Sequence, residues 1–156
     1  ARALYQLGVF YLVGERVERI VAQAIDFLSK SADQGHAEAL YLLGSVYEGG
    51  YNVDPDLPKA LDFYRKSAEG GNGDSMQRIG SHFESGLHLQ RSEEQALGWY
   101  LRGASYGSGA AMSSLGNCYE RGFGVAKNLA AAFSYYESGA VHGNAAALAN
   151  LGVYYE

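Results

Sequence analysis

The amino-acid sequence predicts an all-helical fold made of repeated pairs of antiparallel helices. The 156 residues include 21 glycines but only 2 prolines, and most of the glycines recur at a spacing of 36 residues. Between these glycines, apolar residues follow the i, i+3, i+4, i+7 spacing of amphipathic helices. Because one pair of helices cannot bury both of its apolar faces, this periodicity predicts stacked pairs that share a continuous core.

Three series of glycines define the repeat. The first series follows an aliphatic residue and lies three residues before an aromatic one: Gly8, Gly44, Gly80, Gly116 and Gly152. The second is Gly14, Gly50, Gly86 and Gly122, and the third is Gly35, Gly71, Gly107 and Gly143. These series divide the chain into repeats 1–36, 37–72, 73–108 and 109–144 and a partial repeat 145–156. We interpret residues 1–156 as a single repeat domain that forms part of a longer array.

The first helix of each repeat, here called helix A, contains the first glycine series. In the second repeat it is predicted over 37–48, with Leu43, Gly44 and Tyr47 on one face. Glycine inside a helix costs about 1 kcal/mol relative to alanine. We therefore interpret this glycine as the point where the second helix crosses closely, with the small residue Ala60 opposite.

The second helix, helix B, is predicted over 57–69 in the same repeat. Asp56, Ser92 and Asn128 precede helix B in successive repeats, and each can accept a hydrogen bond from a free N–H of the first turn. Ser92 forms a capping-box pattern with Gln95, three residues later. The second and third glycine series are expected to end helices A and B in the left-handed conformation.

The loop between helices A and B contains a fourth column, in which glycine is partly replaced: Arg16, Asn52, His88 and Gly124. Asparagine and histidine are enriched among non-glycine residues in left-handed backbone. We therefore expect Asn52 and His88 to replace glycine there. Arg16 fits this position less well, and the first repeat lacks a clear cap for its helix B.

These columns resemble the Sel-1-like repeat, a relative of the tetratricopeptide repeat. The resemblance covers all 156 residues and is fullest in the fourth repeat, where 114–125 reads Ser-Leu-Gly-Asn-Cys-Tyr-Glu-Arg-Gly-Phe-Gly-Val. It implies a right-handed α-solenoid of stacked antiparallel helix pairs, with the A helices lining a concave groove. It also implies a role as a scaffold or adaptor for other proteins.

Composition excludes several other classes of protein. Hydrophobic residues make up 47% of the chain, charged residues 19%, and the net charge is −5, which is typical of a globular domain. The one cysteine cannot form an internal disulfide or a cysteine-based zinc site. No apolar stretch approaches the ~18 residues of a membrane-spanning helix, so we predict no membrane segment in this sequence.

The residues also favour a protein that is not an enzyme, with no catalytic residue, metal site or cofactor. Among His36, His82, His88 and His142, no two have the i, i+4 spacing of a helical metal pair. Cys118 lies in a mostly apolar column, which predicts an inert, packed thiol. The glycines do not follow a strand and open a helix, as a phosphate-binding loop requires.

The helix A positions that line the groove of the related tetratricopeptide family provide the candidate binding residues. They are Tyr5, Tyr41, Glu48, Gln77, Ser81, Glu84, Asn117, Glu120 and Arg121. The mapped positions hold six acidic residues and two basic ones, and four of the acids form a column near the C-terminal ends of the A helices: Glu48, Glu84, Glu120 and Glu156. One interpretation is that these carboxylates are solvated or accept hydrogen bonds from loop N–H groups. The other is a site for a basic peptide segment, to which Tyr5 and Tyr41 would add flat contact surface.

The leading hypothesis is a protein-interaction module that holds a partner peptide or helix in the groove. Its expected partners are other proteins and the remainder of its own repeat array. An RNA-binding helical repeat is an alternative, but its groove should be basic, whereas this chain has a pI near 5.3, so we expect no nucleic-acid partner. A second alternative is a passive spacer in a larger enzyme or ubiquitin-ligase complex.

Overall fold

The computed structural model describes residues 1–13, 18–50 and 53–154, and these form α-helices joined by short turns without any strand. The nine helices among them are α1 (Arg2–Val13), α2 (Glu18–Ala32), α3 (Ala37–Gly49), α4 (Leu57–Glu69), α5 (Gly73–Ser85), α6 (Glu93–Ser105), α7 (Gly109–Arg121), α8 (Leu129–Val141) and α9 (Ala145–Tyr154). Odd-numbered helices are A helices and even-numbered helices are B helices. The predicted all-helical fold with a 36-residue repeat is confirmed.

The helices form two compact units, Ala1–Asn72 and Gly73–Glu156. In the first unit α1 packs against α2, α3 packs against α4, and α2 contacts α3. In the second unit α5 packs against α6 and α7 against α8, while α6 contacts α7 and α8 contacts α9. Helix α7 also contacts its neighbouring A helices, α5 and α9. Each unit is therefore a stack of helix pairs in chain order.

The N-caps predicted for helix B are confirmed. Asp56 Oδ1 accepts a hydrogen bond from the Lys59 backbone N–H at 3.0 Å, and Ser92 Oγ accepts one from the Gln95 N–H at 3.2 Å. Asn128 caps α8 in the same way at 3.0 Å. These side chains satisfy N–H groups that the first helical turn leaves unpaired.

Left-handed backbone ends the helices at the predicted glycines. The described members of the second and third series have φ values between 65° and 88°: Gly35, Gly50, Gly71, Gly86, Gly107, Gly122 and Gly143. His88 has a φ of 61°, which confirms that it replaces glycine in the loop before α6. Asn52, Arg16 and Gly14 lie outside the described residues.

The first glycine series provides space for a large side chain of helix B. A Cβ atom built on Gly44, Gly80 or Gly116 would lie 2.4–2.5 Å from a ring carbon of a tyrosine in the helix B of the same repeat. These tyrosines are Tyr64, Tyr100 and Tyr136, and each is at most 1% exposed. Since real Cβ atoms do not approach other carbons so closely, the ring occupies space that only glycine leaves open.

The hydroxyl of each buried tyrosine donates a hydrogen bond to a glutamate on helix A of the same repeat. The O–O distances are 2.6 Å for Tyr64 and Glu48, 2.7 Å for Tyr100 and Glu84, and 2.7 Å for Tyr136 and Glu120. A buried hydroxyl without a partner would cost about 1–3 kcal/mol. The glutamate therefore belongs to the packing of the helix pair as well as to its surface.

The first repeat has an apolar version of the same arrangement. Leu28 takes the place of the tyrosine and is fully buried, and a Cβ atom on Gly8 would lie 2.7 Å from its side chain. The position equivalent to the glutamate is Leu12 in the sequence. The hydroxyl donor and its carboxylate acceptor are thus replaced together.

We expect Gly116→Ala to lower the free energy of unfolding by about 1–3 kcal/mol, because the new Cβ atom would overlap the buried Tyr136 ring. Gly98→Ala is a matched control, since Gly98 lies inside α6 and, among the described residues, a Cβ atom there would meet nothing within 4 Å beyond its chain neighbours and the backbone of its own helix. This control should raise the free energy of unfolding by about 0.5–1 kcal/mol. Urea denaturation followed by circular dichroism measures both values. Equal effects of the two substitutions would contradict the packing role of Gly116.

We expect the fold to lose stability as the pH rises above 10. Burial, reinforced by the neighbouring Glu84 and Glu120 carboxylates, raises the pKa of Tyr100 and Tyr136 above the ordinary value of 10.0. The folded chain therefore keeps these protons to a higher pH than the unfolded chain. The contribution of these two groups to the free energy of unfolding is fully present below pH 10 and is lost as the pH rises towards their folded-state pKa values.

Thermal melting on either side of pH 10 measures this effect. The melting temperature of the wild type should fall more steeply with pH than that of the Tyr100→Phe, Tyr136→Phe double variant, which lacks both phenolic protons. The same slope for the two proteins would refute this origin of the pH dependence.

Candidate protein-binding face

The candidate binding residues lie on the A helices of both units. In the first unit they are Tyr5 on α1 and Tyr41 and Glu48 on α3. In the second unit they form a set that we name the α5–α7 face: Gln77, Ser81, Glu84, Asn117, Glu120 and Arg121. Asn117 and Arg121 are exposed, and the other four residues of the α5–α7 face are half-buried.

In the first unit, both candidate tyrosines pack against other rings of that unit. Tyr5 stacks on His36, with ring centroids 4.8 Å apart and planes at 21°. Tyr41 is tilted against Tyr64, with centroids 5.9 Å apart. Both tyrosines are half-buried, so each offers only part of its side chain to a ligand.

Two polar contacts on the α5–α7 face link the adjacent A helices. Gln77 Nε2 donates to Ser81 Oγ at 2.9 Å on its own helix and to Ser114 Oγ at 3.2 Å on α7. Arg121 Nη1 donates to Glu84 Oε1 at 3.0 Å. These contacts hold the amide and the guanidinium in defined positions at the surface.

The glutamates of the α5–α7 face accept hydrogen bonds from the hydroxyls of the buried tyrosines. Glu84 accepts the Tyr100 hydroxyl on Oε2 and Arg121 on Oε1, while Glu120 Oε2 accepts the Tyr136 hydroxyl. The column of carboxylates that the sequence indicates therefore has hydrogen-bond donors in the core. Glu156, its last member, lies outside the described residues.

Sequence reasoning missed the residues that hold several of the candidate binding residues in place. They are Tyr64, Tyr100, Tyr136 and Ser114. A signal for the tyrosines is present in the sequence, because a tyrosine follows each of Glu48, Glu84 and Glu120 by 16 residues. In the first repeat, leucine occupies both positions. Ser114 has no comparable signal.

The predicted packed thiol is confirmed by the burial of Cys118 on α7, which is 2% exposed. Burial, with a smaller contribution from the Glu84 charge, raises the pKa of this thiol to about 12. The thiol therefore stays protonated near neutral pH and is a poor nucleophile.

Within the part of the chain that the structure describes, no three His, Cys, Asp or Glu residues are placed to hold a metal ion. Its helices are also too short or too polar to cross a membrane.

Comparison with solved structures shows similarity to bacterial repeat proteins. One is c5321, a protective antigen of uropathogenic Escherichia coli with an SLR fold, at 28% identity and a TM-score of 0.82 over 99% of this chain and 33% of that one. Another is a Sel1 repeat protein from Oxalobacter formigenes, at 29% identity and a TM-score of 0.81 over 97% of this chain and 62% of that one. The chain thus spans a third of the length of the first and less than two thirds of the second.

A more distant similarity supports the fold alone. Cysteine rich protein B of Helicobacter pylori is 20% identical, with a TM-score of 0.66 over 87% of this chain and 98% of that one. A comparison with curated proteins gave no match.

The family assignment comes from the repeats themselves. The model of the Sel1 repeat matches four times, at residues 1–36, 37–72, 73–108 and 109–144. These matches cover nearly the whole chain and agree with the 36-residue spacing of the helix pairs. The chain therefore belongs to the Sel1 repeat family, whose members generally act as protein-interaction modules.

Proposed function

We propose that this chain is a scaffold that binds a segment of a partner protein on the α5–α7 face. The observation that carries the proposal is the combination of accessibility and fixed geometry on this face. Arg121 has 60% of its side chain exposed, yet its guanidinium is paired with Glu84 at 3.0 Å. Asn117 is exposed beside these residues on α7.

Fixed polar side chains favour specific binding because less conformational entropy is lost when a partner docks. Gln77 is held by Ser81 and Ser114, and Glu120 is held by Tyr136. Such groups present hydrogen-bond donors and acceptors in one arrangement. A partner with matching groups would be distinguished from one without them.

The charge of the α5–α7 face favours a partner segment with basic residues. The face carries two carboxylates, Glu84 and Glu120, and one guanidinium, Arg121, so its balance is negative. The exposed Asp74 and the exposed Arg78, both on α5, cancel each other's charge. A nucleic acid would instead require a basic surface, so the described face supports a protein partner.

Photo-crosslinking of the protein in its native cells tests this function. We expect p-benzoylphenylalanine at Asn117 to form discrete adducts with other proteins, whereas the same group at Glu137, exposed on helix B of the fourth repeat, should not. Glu120→Gln should lower the adduct yield by about tenfold, which corresponds to about 1.4 kcal/mol of binding, because it removes one of the two carboxylates that attract a basic segment. The glutamine side chain keeps an oxygen that can accept the Tyr136 hydroxyl.

Glu137→Gln provides the charge control, since Glu137 is exposed on helix B of the fourth repeat and the substitution makes the same change in net charge. It should leave the adducts unchanged. The proposal would be wrong if positions 117 and 137 gave the same adducts, or if the adducts contained RNA.

A further inference from the structure

An aromatic ring in the loop after α7 contacts Arg121, the exposed arginine of the α5–α7 face. The guanidinium carbon of Arg121 lies over the ring of Phe123, 5.6 Å from its centroid. A cation over the face of an aromatic ring is attracted to it at this distance. Arg121 is therefore held by a ring contact as well as by its ion pair with Glu84.

The Phe123 ring is itself fixed in the core of the second unit. Phe123 is 5% exposed and packs in a cluster with Ala96, Tyr100, Leu115 and Cys118. Close packing restricts a ring in such a cluster to a defined position. Tyr100 of the same cluster donates to Glu84, so both members of the surface ion pair are held from one part of the core.

Glu93, at the start of α6, holds the loop that carries Phe123. Its Oε2 accepts a hydrogen bond from the Gly124 backbone N–H at 3.1 Å, and its Oε1 accepts one from Arg91 Nη2 at 3.3 Å. The Arg91 guanidinium in turn lies 5.9 Å from the centroid of the Phe123 ring. The loop and its ring are thus tied to the beginning of α6.

This arrangement is particular to the third and fourth repeats. The equivalent positions elsewhere hold other residues: Glu15, Tyr51 and Leu87 for Phe123; Val13, Gly49 and Ser85 for Arg121; and Val21, Leu57 and Leu129 for Glu93. The stacking of helix pairs with a 36-residue period therefore does not require these side chains.

We infer that Phe123 is a positioning residue for Arg121 and sets how its guanidinium is presented to a partner. This inference rests on the function proposed above. Within the described residues, Arg121 makes one hydrogen bond, from Nη1 to Glu84, so Nε and Nη2 can donate to a ligand. The backbone carbonyl oxygens of a basic segment supply acceptors for these donors, while its basic side chains are attracted to the carboxylates.

The ring contact adds a constraint that the ion pair lacks. A single hydrogen bond fixes one atom of the guanidinium and leaves its plane free to turn about that atom. The contact with Phe123 fixes a second point, so the remaining donors keep one direction. An arginine that is ordered in this way loses less conformational entropy when a partner docks.

Nitrogen-15 relaxation of the arginine side chains in the free 156-residue chain tests the positioning. We expect the Nε order parameter of Arg121 to lie above ~0.6 in the wild type and to fall below it in Phe123→Leu. Leucine is the residue at the equivalent position of the third repeat, and circular dichroism verifies that the variant is folded. Arg102, 5.4 Å from the ring centroid of Trp99, is the matched control and should be unchanged.

Glu93→Leu provides a second variant, which keeps the ring and removes both contacts of the Glu93 carboxylate. Leucine begins α4 and α8 at the equivalent positions, so the substitution suits the start of helix B. The order parameter of Arg121 should fall here too, although less than in Phe123→Leu. An order parameter that is unchanged in both variants, or already below ~0.6 in the wild type, would overturn the inference.

The adducts formed from position 117 show whether the positioning contributes to binding. Phe123→Leu should lower their yield by about threefold to tenfold, because a mobile arginine must then be ordered when the partner docks. An unchanged yield would also overturn the inference, although the face would still bind. Absence of adducts from the wild type would instead refute the proposed function, whatever the order parameters of the free chain.

Discussion

The insertion of a helix B tyrosine into the space left by a helix A glycine is the interaction on which the rest of the structure depends. It allows the two helices of a repeat to cross closely while burying a large ring, as between Gly116 and Tyr136. Burial of the ring also buries a hydroxyl, which then requires an acceptor. Glu120 supplies that acceptor from helix A, and its carboxylate is thereby fixed at the surface of the repeat.

This packing connects the core to the proposed binding surface. On the α5–α7 face, the buried tyrosines hold Glu84 and Glu120 from below, and Arg121 then pairs with Glu84. The core positions repeat closely from one helix pair to the next, whereas the surface positions differ and can select a partner.

The sequence predicted those features that depend on local interactions. Helix α4 has the predicted bounds, and α3 is one residue longer than predicted, because caps and left-handed glycines act within a few residues of the helix ends. The bond between Gln77 and Ser114, 37 residues apart, depends instead on the spacing between two A helices. The bond from Tyr100 to Glu84 depends on where the helices cross and on the rotamers that the core allows. A periodic pattern of residues specifies neither the spacing between two helices nor the rotamers of the side chains where they cross.

A double-mutant cycle on Tyr100 and Glu84 measures most directly whether the buried tyrosine holds the surface glutamate. Tyr100→Phe, Glu84→Met, which removes the acceptor at similar side-chain length, and the double variant are compared with the wild type by urea denaturation near neutral pH, where the hydroxyl keeps its proton. The 2.7 Å hydrogen bond predicts a coupling free energy of about 1–2 kcal/mol between the two side chains. A coupling free energy of zero would show that the two groups contribute independently and would contradict this account.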